Sequence, residues 1–277
     1  MGQTHHNSNI LRKWLVISII TLITSHINSQ NESVHHVLIE TNMGNMKIKL
    51  YNDTPNHRDN FLNLVSQKHF DGTLFYRVIE NFVIQGGSSD SRNAAPGRRI
   101  GYGSSTKIIS SEFVPGRFHK RGALCAPRQP EDVNHFRMSD VSQFYIVHGR
   151  VFTHEELDML ERRVNNPIRR KLREKYYDPH KEELDRLREE NPRGFNELLR
   201  EIRSNIDIEF NLSDHLIYTE KQREIYTTIG GLPDLDGDYT VFGEVIEGLD
   251  VIERIAKLAT DDHDRPMQDV RITIKKL

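Results

Sequence analysis

The sequence predicts a mainly β protein, a closed β-barrel with helical covers, interrupted by an inserted α-helical subdomain. Three observations carry that expectation. Met46, Ile48 and Leu50 alternate with Lys47 and Lys49, and Val270, Ile272 and Ile274 alternate with Arg271, Thr273 and Lys275, the period of two that belongs to strands with one wet face. Further short apolar runs, at Phe75 to Ile84, Ala123 to Ala126, Phe144 to Val147 and Thr240 to Val245, are separated by glycine-bearing turns, and many short strands with few helices favour a sheet closed on itself. Between them, residues 151–226 carry 15 basic and 18 acidic side chains among 76 and a single glycine, so this block follows a different regime from the strands around it.

Taken in order, the chain starts with polar residues, the basic pair Arg12 and Lys13, and the apolar run Trp14 to Thr24. Those eleven residues fall short of the about 20 that span a bilayer, so residues 1–29 read as a cleavable secretory signal cut after Ser29, with an uncleaved short anchor as the alternative. No cysteine follows the run, which excludes a lipoprotein anchor, and His6 stands where N-myristoylation requires Ser or Thr. Thr54 and Pro55 open a helix with Phe61, Leu64 and Val65 at core spacing, and a second is expected over Leu249 to Leu258. Within the charged block, Thr153 and Glu156 form a capping box ahead of Leu157, Leu160, Val164, Ile168 and Leu172, an amphipathic helix bent or divided at Pro167. Asp178 and Pro179 start a second helix with Leu184 and Leu187 inside, Phe195, Leu198, Leu199, Ile202, Ile206 and Phe210 trace a third, and Thr219 with Gln222 caps a short fourth. The block reads either as a solvated helical hairpin packed on the barrel or as an arm that extends its binding surface through Phe195, Leu199 or Phe210.

The 277 residues suffice for an ample core. Lys plus Arg (38) nearly balance Asp plus Glu (40), leaving a net charge of −2 and no basic footprint for nucleic acid. One cysteine, Cys125, excludes an intramolecular disulfide and a zinc site built on several thiolates, and its place in a strand-like run reads as a buried, inert thiol. Asp234, Asp236 and Asp238 begin like a calcium loop, but Tyr239 and Val245 occupy the positions of its required Gly and Glu, so a turn is the better reading. His154 and Glu155 lack the second histidine of a metalloprotease helix, and neither Gly86-Gly87 nor Gly101-Tyr102-Gly103 has the Lys-Ser/Thr sequel of a phosphate loop. No metal site and no cofactor is expected.

One stretch is far more specific. Phe75-Tyr76-Arg77-Val78-Ile79-Glu80-Asn81-Phe82-Val83-Ile84-Gln85-Gly86-Gly87 closely resembles the signature of the cyclophilin family of peptidyl-prolyl isomerases, or rotamases. Matching segments stand in the family's order around it: Asn60-Phe61-Leu62 and Phe70-Asp71-Gly72-Thr73 before, then Glu112-Phe113, Gly122-Ala123-Leu124, Ser142-Gln143-Phe144-Tyr145-Ile146, Leu235-Asp236-Gly237 and Val241-Phe242-Gly243. The resemblance covers residues 35–150 and 227–277, which makes 151–226 an insertion into one discontinuous barrel, similar to insertions in some exported bacterial cyclophilins.

Such a resemblance implies an eight-stranded antiparallel barrel with a helix closing each end and an outer groove for proline-containing peptides. It also implies cofactor-free rotation of X-Pro bonds in unfolded or partly folded proteins. Arg77 matches the family's catalytic arginine, and Gln85 the glutamine that orients it and approaches the substrate carbonyl. Phe82, Val83, Tyr145 and Leu235 match the proline pocket, although without the family all four read as barrel core. Gln143 matches a polar groove position, Arg128 one whose backbone holds the peptide, and Tyr239 one where histidine is common. Val83 replaces the usual methionine, Tyr145 a phenylalanine, and Pro127-Arg128 an Ala-Asn pair. Asp234 replaces the tryptophan that donates its indole N–H to cyclosporin, which a carboxylate cannot do. With the leader, the expectation is an exported folding chaperone of the periplasm or cell envelope, with no nucleic-acid partner and no stable membrane insertion after signal cleavage. The rival reading is a non-catalytic peptide-binding chaperone or scaffold module that acts through the helical insertion.

Overall fold

The computed structural model describes residues 34–103 and 108–277; the leader expected over residues 1–29 lies outside them. The first strands, β1 (His35–Thr41) and β2 (Gly44–Leu50), turn Val37, Ile39, Met46, Ile48 and Leu50 to one face. The run at Phe75 to Ile84 is two strands, β3 (Phe75–Val78) and β4 (Val83–Gly86), because Asn81 adopts a left-handed φ of 61° and turns the chain. Then follow β5 (Ile108–Ile109), β6 (Ala123–Cys125), β7 (Ser139–Asp140), β8 (Phe144–Val147), β9 (Val241–Glu247) and β10 (Ile272–Lys276). Eight of these form one antiparallel sheet in the order β10-β1-β2-β9-β6-β8-β4-β3, while β5 and β7 pair separately.

The two ends of that order meet. Phe75 N–H donates to Val270 O at 2.9 Å and Ile272 N–H to Thr73 O at 2.8 Å, so the sheet curls into a nearly closed barrel. Its interior holds an aromatic cluster in which Phe144 meets Phe61, Phe70 and Phe75 edge-on at 5.4–5.8 Å, wrapped by Ile39, Ile48, Ile84, Leu124 and Ile272. Two helices cover it. Helix α1 (Pro55–Ser66) packs on β9 and β10 and buries Phe61 and Val65. Its first turn is capped from a distance: the Glu112 carboxylate accepts the N–H groups of Asn56 and His57, whereas the Thr54 side chain makes no cap bond.

Residues 151–226 form helices, as their pattern predicts. Helix α2 (His154–Tyr176) begins at the Thr153–Glu156 capping box and runs through Pro167 undivided, so of the bend or division expected there the division does not occur. Pro167 removes one N–H, but Leu157 and Leu172 on either side of it stay buried and hold the helix together. A short 3-10 turn at Asp178–His180 leads into α3 (Lys181–Glu190), followed by α4 (Pro192–Asn211) and α5 (Glu220–Thr228), the last ending two residues past the expected boundary. Helix α4 packs on α2 and α3, burying Leu184, Ile202 and Phe210; the Arg169 guanidinium covers the Phe210 ring at 3.7 Å. The chain returns to β9 and ends with α6 (Leu249–Ala256), which packs on β2 and β4 and adds Val251, Ile252, Ile255 and Ala256 to the barrel core, and β10.

The insertion leaves and re-enters through a narrow neck. Gly231 N–H donates to Arg150 O at 2.9 Å and Leu232 N–H to His119 O at 2.8 Å, so three segments cross where no side chain fits. A Cβ on Gly231, whose φ is +152°, would run into the His119 carbonyl and lie 2.8 Å from Lys120 Cα. Gly231→Ala is therefore expected to destabilise the fold by more than the about 1–2 kcal/mol that a left-handed alanine costs alone. Gly237→Ala, at φ +77° with nothing within 4 Å, should show only that conformational cost. Urea titration of the two variants checks the difference, and equal losses would remove the steric argument.

Candidate active site

A groove lies on the outer wall of the barrel, and strand register explains why its residues meet. Arg77 in β3 stands opposite Gln85 in β4, Gln85 opposite Tyr145 in β8, Tyr145 opposite Cys125 in β6, and Cys125 opposite Val241 in β9. Alternation sends Ile84, Leu124, Phe144 and Ile146 inward. Val83, Ala123, Cys125 and Tyr145 face outward, where they form a second apolar cluster with Tyr51, Val147 and Val241. Phe82, Leu232, Leu235 and Tyr239 pack against it. Phe82, Val83, Tyr145 and Leu235 are thus packed apolar residues, but on the outside of the barrel rather than in its interior.

Arg77, Phe82, Val83, Gln85, Pro127, Arg128, Tyr145, Leu235 and Tyr239 enclose a pocket of about 170 Å³. Every residue expected at the site from the sequence lines it except Gln143. Arg77 is 37% exposed; its Nε lies 3.4 Å from the Asp264 carboxylate and its guanidinium 5.7 Å from the Phe82 ring centre. Arg128 is fixed by its side chain: Nε donates to Asp238 O at 2.8 Å, the guanidinium pairs with Glu131 at 3.1 Å, and it lies over the Tyr239 ring at 4.9 Å. The turn that carries Phe82 is held from below, since Asn81 N–H donates to His148 Nδ1 at 2.8 Å and His148 Nε2 contacts the Glu253 carboxylate at 2.9 Å. Arg121 and Lys257 also pair with Glu253; side-chain hydrogen bonds from Lys257, His148 and Arg121 hold that carboxyl at a pKa of about 2.

Gln143 is buried behind the pocket, and its role emerges through a residue that the sequence did not single out. Gln85 Nε2 donates to the Tyr76 oxygen at 2.7 Å, and the Tyr76 hydroxyl donates in turn to Gln143 Oε1. Gln143 Nε2 is spent on Gly101 O at 3.3 Å and Asp140 Oδ2 at 3.1 Å. Burial, with the Asp140 and Asp90 charges nearby, pushes the Tyr76 phenol above its ordinary range, so the hydroxyl stays a donor. The chain of donors fixes which way the Gln85 amide faces: its N–H points back to Tyr76. A tyrosine next to the arginine in an apolar run carries no signal of this task.

A second relay supports Tyr145. The Asp236 carboxylate accepts the His119 backbone N–H at 2.8 Å and contacts His119 Nδ1 at 3.0 Å, while His119 Nε2 lies 3.2 Å from the Tyr145 hydroxyl. With the carboxylate taking Nδ1–H, Nε2 is the nitrogen that accepts the Tyr145 O–H. Burial and the Cys125 sulfur push that phenol well above its ordinary range. The other Asp236 oxygen accepts from Tyr226 O–H at 2.7 Å and Gln222 Nε2 at 3.1 Å, both on α5. The hydroxyl that Tyr145 adds to the family's phenylalanine therefore points away from the pocket. In the sequence Asp236 stood out within a calcium-like triplet and a family-matching segment but with no such role, and His119 not at all; among the described residues no group of three or more His, Cys, Asp or Glu could hold a metal ion.

Tyr226→Phe removes one of four donors to Asp236 while keeping the ring in place. It should lower the unfolding free energy by about 1.5–3 kcal/mol, the scale of a hydrogen bond to a charged group. In the Asp236→Asn background its effect should shrink, because both changes act on one network. Strict additivity in denaturant titrations would show that Asp236 does not gather these bonds.

The family model for cyclophilin-type peptidyl-prolyl cis-trans isomerases matches residues 36–162 and 218–276, so it reaches into the first and last helices of the inserted block. A Streptococcus pyogenes protein named as a bifunctional phosphatase/peptidyl-prolyl cis-trans isomerase is 26% identical over 249 residues, covering 89% of this chain but 39% of its own length. A peptidyl-prolyl cis-trans isomerase homologue of Staphylococcus epidermidis is 27% identical over 237 residues, covering 85% of this chain and 88% of its own. The crystal structure of a Cryptosporidium parvum cyclophilin superposes with a TM-score of 0.50 at 18% identity, covering 88% of this chain and 98% of the other, and so shares the fold. With the family's motifs gathered on the outer wall of its barrel, the chain belongs to the cyclophilin-type peptidyl-prolyl cis-trans isomerases.

Proposed function

We propose that the pocket beside Arg77 takes the proline of an X-Pro segment and that Arg77 drives rotation of the preceding amide in exported client proteins. The observation that carries the reading is the pairing of Arg77 with Gln85 across β3 and β4 at the mouth of an apolar pocket sized for a small ring. Partial double-bond character sets the amide barrier at about 18–20 kcal/mol, and X-Pro bonds exchange over tens to hundreds of seconds. At the transition state the amide is twisted and its nitrogen, no longer conjugated, becomes basic. A permanent cation aimed at that nitrogen binds the twisted form better than either planar form. On this scale roughly 7 kcal/mol of differential binding corresponds to about 10⁵ in rate.

Each neighbour has a part in this. The Asp264 carboxylate at Nε holds the guanidinium, leaving its terminal N–H groups for the substrate. Gln85, turned by Tyr76, offers its carbonyl oxygen toward the arginine and the substrate. Tyr145, Leu235, Val83 and Phe82 hold the proline ring by apolar contact, with Tyr145 oriented by His119. The leader-like residues 1–29 support export to the periplasm or envelope, where unfolded secreted chains would be the clients. No structural feature favours the non-catalytic scaffold reading, since Arg77 and Gln85 are both in place.

Arg77→Ala is expected to cut kcat/KM on a proline peptide by about 10²–10³, the loss typical of a single electrostatic donor, while thermal unfolding stays near wild type. Near-wild-type activity would remove Arg77 from the mechanism. Asp234 pairs with Arg163 of α2 at 2.9 Å and offers no N–H, so cyclosporin should bind weakly. Asp234→Trp is expected to tighten it by about tenfold, the value of one hydrogen bond, as read by inhibition of the isomerase assay.

A further inference from the structure

A second groove adjoins the proline pocket and is roofed by the insertion. It has a volume of about 340 Å³ and is bounded by Phe113 and Val114 on a barrel loop, Pro233 and Val241 near β9, and Leu216 just before α5. Tyr239 lines both this groove and the proline pocket, so one ring separates them. The two charged side chains at its edge are already engaged. Asp236 accepts four donors, and Arg117 pairs with Asp53 at 2.7 Å while its guanidinium stacks on Tyr51 at 3.6 Å. What remains to be filled is apolar surface: Phe113 is 39% exposed, although it stands beside buried Val241 and Pro233.

We propose that this groove is a client subsite that takes an uncharged apolar or aromatic side chain of the same polypeptide whose proline occupies the neighbouring pocket. The proposal rests on the prolyl-isomerase reading of that pocket. Continuity selects the occupant. A polypeptide held by its proline at Tyr145 and running over Tyr239 advances about 3.3–3.6 Å per residue, which brings the side chain about two residues from the proline over the second groove. Paired rim charges give a charged side chain nothing to bind, whereas an apolar one gains from leaving water. Leu216 belongs to the insertion, so the inserted block supplies a wall of the binding surface at its root, while Phe195 and Phe210, further out, lie under Arg188 and Arg169.

The test uses the protein in a set of otherwise identical proline peptides carrying Phe, Leu, Ala or Asp at the second position on either side of the proline. Equilibrium binding by fluorescence and isomerase turnover are both read. On one side of the proline, Phe or Leu should lower Kd and KM by about three- to tenfold relative to Ala, with kcat little changed. Asp should bind no better than Ala. Phe113→Ser and Leu216→Asp, two variants on different segments, should each erase the preference while leaving binding and turnover of the Ala peptide intact. A flat response to the flanking residue, a preference that survives both variants, or equally tight binding of a Phe peptide lacking proline would overturn the subsite. Absence of turnover with the Ala peptide in the unaltered protein would instead count against the isomerase reading, and the binding series would still decide the groove.

Discussion

The register between β3, β4, β8 and β6 is the constraint on which the rest depends. It lines Arg77, Gln85, Tyr145 and Cys125 in one transverse row on the outer face of the barrel. A slip of one residue in any of these strands would turn its member of the row into the interior and bring an aliphatic core residue out. The interior enforces the register: Phe144 and Ile146 flank Tyr145, Ile84 precedes Gln85, Leu124 precedes Cys125, and all four are completely buried. The row is thus held in place by the packing energy of the residues between its members, which face the barrel interior.

Placement in a row does not fix orientation, and here buried polar groups act. Gln85 is turned by Tyr76 and Gln143, and Tyr145 by His119 and Asp236. In a region of low dielectric an unpaired member of either relay would be costly, so each orientation is strongly specified. Preorganisation of this kind suits peptidyl-prolyl isomerisation, a reaction that makes and breaks no covalent bond. Even the turn bearing Phe82 is tied, through Asn81 and His148, to a glutamate on α6.

The barrel was legible in the sequence because strand alternation is a local signal, and the pocket only through the family resemblance of Phe75 to Gly87, since read alone Phe82, Val83, Tyr145 and Leu235 pass for barrel core. What was not legible came from pairs distant in the chain. Asp236 looked like part of a turn, and only the fold reveals the His119 ring 117 positions before it. Gln143 was expected in the groove and instead stands behind it, since whether a polar residue faces substrate or a buried partner depends on Tyr76 across the sheet. Pro167 signalled a bend or a division, and the buried Leu157 and Leu172 on either side of it keep the helix undivided. Glu112 matched a family motif, but its work as a remote cap for α1 is visible only in three dimensions.

The helical block illustrates how a barrel carries a long excursion between β8 and β9 without losing its pocket. Its neck closes by backbone bonds between Arg150 and Gly231, so the strands on either side are held much as a short turn would hold them. The helical block could then have been indifferent to the pocket, and its outer part, with Phe210 covered by Arg169, is self-contained. Helix α5 is not. Tyr226 and Gln222 bring two donors to a carboxylate that already serves His119, and His119 contacts Tyr145, which lines the pocket beside Arg77. Were those donors absent, Asp236 would be left partly unsatisfied beside His119, and a carboxylate in that position draws either water or a shifted His119 toward itself. The same helix lies next to Leu216, which walls the neighbouring groove. The insertion and the barrel therefore share one half-buried carboxylate, and through it the helices of the block contribute to the geometry of the pocket.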